Sequence, residues 1–548
     1  MQVFRNFTFN PKDDILSGIT VALALVPEAV AFAFVAGVDP MVGLYGAFFM
    51  GLITATFGGR PGMISGATGA MAVVMVHMIQ QGNEVGEGLG HDFLGLKWLF
   101  LSLLIAGSIQ IIAGFCKLGK FVRLIPHPVM MGFVNGLAIV ILLSQFKMFP
   151  EISASHIWSD PSTWMSDAMG NTQFLLMLAF IGLTMAIMHF LPKLTKVVPS
   201  ALVALIVVAL ISVYSGIGLE TVESFIRSKG GADLSDMSLS EKLPVFQHDL
   251  SSFLYTINGH WGLVISTACI MAAVGLIESL LTLNLIDELT ETRGSGNREC
   301  IAQGSANIVN GLFGGMGGCA MIGQSIINVN SGGRGRLSGI TAAVALLLFI
   351  LFGSHLIEQI PIAALVGVMF MVVIGTFAWS SLRILHKIPL ADTIALVSVS
   401  AITVVFDLAI AVICGVIISA LVFAWKNAKM IRARKRIKED GTKVYAIWGP
   451  LFFGSAQAFG TKFNVKEDPE KIEIDFMESR VLDHSGVEAI RNVVNKFIDH
   501  GKSVELTHLS PDCQAILLKW NQKFETVIAT SIDDPRYYVV TDMVDAEV

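Results

Sequence analysis

With 548 residues, 53% of them hydrophobic and only 15% charged, and a mean hydropathy of +0.68, the chain lies far from the roughly 25% charged residues of soluble domains. A soluble protein is excluded, and the chain reads as a polytopic α-helical membrane protein. The net charge of −6 is unevenly placed: from Lys438 onward 12 Lys and Arg face 19 Asp and Glu, which leaves the apolar part near neutral and without a basic tract for nucleic acid.

At about 20 apolar residues per span, hydropathy predicts crossings near 15–36, 41–58, 64–80, 97–116, 129–147, 174–191, 199–218, 262–286, 301–313, 319–330, 337–354, 361–380, 388–406 and 408–425. Three of these, 64–80, 301–313 and 319–330, are short or broken by glycine. The loops after even-numbered spans carry Arg60, then Lys117, Lys120 and Arg123, Lys193 and Lys196, Arg293 and Arg298, Arg334 and Arg336, and Arg383 and Lys387. Loops after odd-numbered spans are nearly bare, apart from a segment at 218–260 whose Arg227, Lys229 and Lys242 are offset by carboxylates. Positive charge collects on the cytoplasmic side, so both termini are expected there, with the chain in the cell's inner (plasma) membrane. Asp407, at an opposite junction, is expected to cap the next helix. No cleaved signal peptide is expected: Pro27 and Glu28 interrupt the first apolar stretch. Six scattered cysteines show no metal or disulfide spacing and read mainly as packing residues.

Fourteen spans divide into two sevens, and an odd-numbered repeat must be inverted in the membrane. The third span, entered through Ser65-Gly66-Ala67-Thr68-Gly69-Ala70, and the tenth, entered through Gly314 to Ser325, are glycine-interrupted at corresponding positions. Such pairs point to a transporter binding site, although glycine also serves close helix packing. Glu278 in the eighth span is a carboxylate inside an apolar helix, a costly placement that points to function. Thr282 lies one turn on, on the same face, and Glu28 is a second intramembrane acid.

After Trp425 a basic run (Lys426, Lys429, Arg432, Arg434, Lys435, Arg436, Lys438) reads as a linker over 426–442 at the membrane edge. Residues 443–548 then alternate strands (Lys443–Trp448, Lys471–Phe476, Ser503–Leu509) with helices (Ser485–Phe497, Pro511–Trp520), the pattern of a small α/β domain. That domain has no nucleotide loop and no nucleophile or metal constellation, so regulation or assembly is expected rather than catalysis, with no cofactor.

Taken together, Pro27-Glu28-Ala29, Pro40 with Gly43-Leu44-Tyr45, Gly58-Gly59, Ile64 to Gly69, Gly132-Phe133 with Gly136, Glu278 to Leu281, Gln303-Gly304 with Asn307, Gly314-Gly315 and Gly332-Gly333 resemble the sulfate permease (SulP) family with its C-terminal STAS domain. The resemblance implies a core of spans 1–4 and 8–11 and a gate of spans 5–7 and 12–14 within residues 1–425. It places an anion between the N-termini of the third and tenth helices, at Ala67, Thr68 and Gly69 and at Met321, Ile322, Gly323 and Gln324. Many relatives have arginine where this chain has Gln324, which weakens attraction for an anion and mildly favours a monoanion such as bicarbonate. Sodium-coupled bicarbonate relatives have aspartate at Glu278 with the same threonine, whereas proton-coupled ones often have glutamate. Glu278, Thr282 and Glu28 are therefore the coupling-cation candidates, with sodium held at Glu278 and Thr282 as the alternative to a proton.

The implied activity is secondary active transport of a small inorganic anion of the bicarbonate or sulfate class, coupled to H+ or Na+, by alternating access. C4-dicarboxylate transport and an uncoupled anion channel are the alternatives. A homodimer in the lipid bilayer and a regulatory protein bound to the STAS domain are implied partners. Leu482-Asp483-His484-Ser485-Gly486 matches the turn that carries a phosphorylatable serine in bacterial anti-sigma antagonists, so Ser485 is a modification candidate, against simple helix capping.

Overall fold

Proline and a short polar side chain begin the first two helices. Asn10 accepts from the Lys12 N–H at 3.2 Å ahead of Pro11, and Asp39 accepts from the Met41 N–H at 2.8 Å ahead of Pro40; both are N-terminal signals, because proline gives up an amide that the first turn leaves unpaired. The computed structural model describes residues 10–89, 93–120, 126–149, 172–194, 199–215, 219–224, 244, 246, 259–405, 408–520 and 525–529. It divides into two units, 1–416 and 417–548. Arg123, Lys196, Asp407 and most of the segment expected at 218–260 lie outside the described residues.

The helices of nine or more residues in the apolar part are α1 (Pro11–Ala36), α2 (Pro40–Phe57), α3 (Gly69–Leu89), α4 (Leu94–Phe115), α5 (His127–Gln145), α6 (Thr172–Leu194), α7 (Ser200–Ser215), α8 (Trp261–Thr290), α9 (Gly296–Phe313), α10 (Ile322–Asn330), α11 (Arg336–Glu358), α12 (Ile362–Thr376), α13 (Leu390–Val405) and α14 (Leu408–Ala428). Two short strands, β1 (Ser65–Ala67) and β2 (Gly318–Ala320), stand directly before α3 and α10. Among the described residues, eight helices are long and apolar enough to cross a bilayer. Two others fall short for different reasons. The nine residues of α10 reach only about 14 Å, and α9 buries a polar stripe, Glu299, Gln303, Asn307 and Asn310, that lowers its hydropathy.

Packing repeats itself with an offset of seven helices. As α1 packs on α11, so α8 packs on α4; α2 on α11 matches α9 on α4, and α5 on α13 matches α12 on α6. The antiparallel ladder β1–β2 joins the two repeats at equivalent points, with Ser65 opposite Ala320, Gly66 opposite Cys319 and Ala67 opposite Gly318. The α4–α9 pair shows why small residues are needed. A Cβ at Gly107 would lie 2.5 Å from the Gly304 carbonyl, and one at Gly304 would lie 2.4 Å from the Gly107 carbonyl, so the two backbones touch.

The second unit carries a four-stranded sheet in the order β3 (Arg432–Ile437), β4 (Lys443–Trp448), β5 (Lys471–Glu478), β6 (Ser503–Thr507), with β3 antiparallel and the others parallel. Its helices are α15 (Ala456–Gly460), α16 (His484–Asp499) and α17 (Pro511–Trp520). Tyr445, Ile472, Ile474 and Phe476 pack against Val487, Ile490, Val494 and Phe497 of α16 in one core. Part of the stretch expected as a basic linker is thus the edge strand β3. Its arginines and lysine are largely exposed, so no apolar alternation announced a strand, and charge on an edge discourages pairing with a foreign strand.

Asp468, with its side chain fully buried, takes hydrogen bonds from Lys443 Nζ and from the Tyr445 hydroxyl, the latter at 2.5 Å. Replacing Asp468 with Ala leaves both donors unpaired and is expected to lower the stability of this unit by about 2–4 kcal/mol. The measurement is chemical denaturation of the full chain followed by tryptophan fluorescence. The hydrogen bond to Asp468 holds the Lys443 ammonium above its ordinary value. Its contribution is therefore complete below the unfolded lysine's value of about 10.4 and is lost as pH rises through the raised folded value.

Candidate anion and coupling-ion site

Each strand of the β1–β2 ladder feeds a helix start. Ala67 is followed by Thr68 and the first turn of α3, and Ala320 by Met321 and the first turn of α10. Because the ladder is antiparallel, the two helices depart from its opposite ends. The first α10 amides have no side-chain cap. Each helix start presents unpaired N–H groups and about half a positive charge, the arrangement that receives an anion without a cationic side chain.

Space at the two ends differs. A Cβ at Gly323 would meet nothing within 4 Å, so the α10 start faces open room. At Gly69 a Cβ would press on Phe32 at 2.7 Å and on Ile141 of α5 at 2.8 Å, so the α3 start is covered by side chains. Ala67, Thr68, Met321 and Gln324 are buried, and Ile322 is half-buried.

The α8 helix is fastened to β2 through two successive residues. Cys319 Sγ donates to Glu278 Oε2 at 2.9 Å, and the Ala320 N–H donates to Ser279 Oγ at 3.1 Å. The same Cys319 thiol lies 3.1 Å from Thr68 Oγ1 at the α3 start. A continuous polar chain, Thr68 to Cys319 to Glu278, therefore links the start of α3 to the intramembrane acid. Nothing in the spacing of Cys319 distinguishes it in the sequence from a packing residue. Thr282 is buried on the expected helix, but its hydroxyl donates to the Glu278 backbone carbonyl at 2.8 Å rather than to the carboxylate.

Glu28 of α1 and Gln324 of α10 meet directly, with Gln324 Nε2 donating to Glu28 Oε2. The first-span acid thus stands against a residue of the α10 first turn. Around these groups the polar stripe of α9 acts as scaffold. Gln303 donates to Ser65 Oγ of β1 at 2.9 Å, and Asn307 clasps Gly318 of β2 from both sides, giving to its carbonyl at 3.2 Å and taking from its N–H at 3.1 Å. Glu299 takes hydrogen bonds from Gln303 at 2.7 Å and from the Gly59 N–H at 2.7 Å. The i, i+4 spacing of Glu299, Gln303 and Asn307 was a legible signal that apolar counting passed over. In the STAS unit, Ser485 is half-buried in the first turn of α16, where Asp483 is the N-cap and accepts from the Gly486 N–H at 2.9 Å.

Helices repeated with an offset of seven, meeting at a short ladder and followed by an α/β unit, define a multi-pass membrane protein of the inverted-repeat class with a C-terminal STAS domain. Residues 12–399 match the Sulfate permease family and residues 433–534 match the STAS domain, and the chain belongs to that permease family. It is 41% identical over 511 residues to "Putative sulfate transporter YbaR" of Bacillus subtilis (strain 168), covering 93% of this chain and 96% of that protein. It is 30% identical over 538 residues to the bicarbonate transporter BicA of Picosynechococcus sp., covering 92% and 90%. Among solved structures, the transmembrane domain of a cyanobacterial BicA superposes with a TM-score of 0.61 at 29% identity, covering 74% of this chain and 99% of that one. The structure of SLC26A9 superposes with a TM-score of 0.78 at 16% identity, covering 97% and 90%, a likeness of fold.

Proposed function

We propose that this chain is a secondary active transporter of a small oxyanion, coupled to an inward proton gradient, in which α1–α4 and α8–α11 move as a core against a gate of α5–α7 and α12–α14. The observation that carries the reading is the β1–β2 ladder, which brings two helix starts together while Cys319 ties that point to Glu278. The anion lies against the amides of Gly69 and of Ile322 to Gln324, with Thr68 and Gln324 as side-chain hydrogen-bond partners. An ionised Glu28 beside Gln324 repels it, so anion loading goes with a proton on Glu28. Glu278 carries the coupling proton. The Glu278 carboxylate is met by the Cys319 thiol, and this setting suits a proton better than sodium, which needs several oxygens.

Chemistry connects the coupling ion to the anion. A proton carried with bicarbonate yields CO2 and water, and CO2 crosses bilayers unaided, so proton coupling fits the sulfate class and sodium coupling fits bicarbonate. The missing arginine at Gln324 does not exclude a dianion, because helix N-termini hold sulfate through neutral N–H groups. Basic loops support cytoplasmic termini in the inner membrane, a homodimer is the assembly this reading adopts, and the STAS domain is the place for a regulatory partner or for phosphate on Ser485.

Uptake of radiolabelled sulfate, bicarbonate and a C4-dicarboxylate into proteoliposomes, with proton and sodium gradients imposed separately, tests the proposal. Sulfate accumulation driven by protons alone is expected. Sodium-driven bicarbonate uptake would reassign both ions, and flux indifferent to either gradient would make the chain an uncoupled pathway.

A further inference from the structure

At the arginine-bearing end of the first unit, the turns after α2, between α8 and α9, and between α10 and α11 enclose a cavity of about 680 Å3. Arg60, Arg293, Arg298, Arg334 and Arg336 line it, against one carboxylate, Glu291. Basic residues at this end of membrane helices are ordinary, and scattered cations would need no ligand. Here they converge on one space, and three observations set them apart.

The first is an orphaned donor. Arg60 is 6% exposed and its η nitrogens are engaged, by Asp287 at 3.2 Å, by Thr292 Oγ1 at 2.7 Å, by Thr290 and by the Ile286 carbonyl. Its Nε is buried with no acceptor, and buried guanidinium donors are ordinarily paired. The second is unopposed charge. Arg293 and Arg334 carry no side-chain partner among the described residues. Burial holds the Arg60 guanidinium below its usual value; Asp287 opposes this, and the nearby Arg334 adds to it. The third is a built frame. Arg336 donates to the carbonyls of Ala55 at 2.8 Å, Thr56 at 3.0 Å and Gly58 at 2.6 Å, Arg298 Nε donates to the Phe57 carbonyl at 2.8 Å, and the Gly294 N–H donates to Asp287 at 2.9 Å. The walls are thus held by bonds that leave Arg293, Arg334 and Arg60 Nε unspent.

A cavity of this size exceeds what a simple inorganic anion fills and falls in the range of small-molecule sites. The planar arginine fork is matched to phosphate oxygens, which it meets two at a time. We propose that this cavity is a second anion site, separate from the transported ion's path, that binds a phosphate-bearing ligand between Arg293 and Arg334, beside the wall that Arg60 forms. Such a ligand ties turns from both repeats of the core together and so acts on the core's movement. The phosphate comes either from a free organic phosphate or from a phospholipid headgroup, and the recognition chemistry is the same.

The test uses the full chain. In phospholipid-free detergent it is titrated calorimetrically with ATP and with inorganic phosphate. In phosphatidylcholine nanodiscs with and without phosphatidic acid, retained lipid is counted by native mass spectrometry. Binding of a phosphate-bearing probe is expected in at least one arm, and the double variant Arg293→Ala, Arg334→Ala is expected to weaken it by about tenfold or more. Both positions are exposed, so the variant keeps its fold, which a matching melting temperature verifies. The double lysine variant is expected to bind more weakly than wild type despite equal charge, because the fork is lost. Titration in detergent identifies a free phosphate, and retention of phosphatidic acid alone identifies a headgroup. Absence of binding in every arm, or equal binding by wild type and both double variants, overturns the proposal.

Discussion

Replacement of Glu278 with Gln is expected to abolish accumulation of the anion against its gradient while leaving the protein folded. The amide oxygen of glutamine still accepts the Cys319 thiol that Glu278 Oε2 takes at 2.9 Å, so the link from α8 to β2 survives. What disappears is the carboxyl group proposed to carry the coupling proton. Proton-driven uptake in proteoliposomes should fall on the order of a hundredfold, the upper end of measured coupling free energies between sites, with anion binding close to wild type. Acidification of the vesicle interior, read by an entrapped dye, should vanish together with uptake. Glu278→Asp should restore part of both, since it keeps the carboxylate and shortens its reach. Full gradient-driven uptake by the glutamine variant would remove Glu278 from the coupling step.

The second large effect is expected at Gly318. A Cβ there would lie 2.2 Å from the Gly66 carbonyl and 2.7 Å from Met50 Cγ, at the end of the ladder where β2 pairs with Ala67. The nearer obstacle is backbone and cannot step aside as a side chain does. Gly318→Val should part β1 from β2, costing about 1–3 kcal/mol of stability, and should remove anion binding as well as uptake. Gly323→Ala provides the contrast. It fills open space at the α10 start, so the melting temperature should hold while the apparent KM for the anion rises. If Gly318→Val transported normally, the ladder would not be what positions the site; if Gly323→Ala left KM unchanged, the anion would not lie against the α10 amides.

Much of the architecture is legible in the sequence because it is local. Asn10-Pro11 and Asp39-Pro40 start helices wherever they stand, and Gly37 and Gly314 end them at φ of 74° and 77°. Twenty-residue apolar runs declare spans because the bilayer supplies no partner for a free backbone group. Glu278 and Glu28 stand out for the same reason, as charges that the surrounding composition does not explain. The α9 helix was legible only in part, since its stripe from Glu299 to Asn310 looks like a poor span until its protein neighbours are known.

Long-range pairing is what the sequence leaves open. Thr68 and Cys319 are 251 residues apart and Glu28 and Gln324 are 296 apart, and no periodicity connects such positions. Only the fold turns a cysteine in a glycine-rich run into the link between a helix start and an intramembrane acid. Only the fold sets Gln324 against Glu28, so that an absent arginine becomes part of a carboxylate-amide pair. In the STAS unit the strand Arg432–Ile437 exists because β4 lies alongside it, its own residues being mostly charged and exposed. The sequence by itself thus determined the membrane class, the spans and the two acids, because solvation acts on each residue separately. The tertiary structure decided which of them meet, because a hydrogen bond or a close backbone contact requires two segments to arrive at one place.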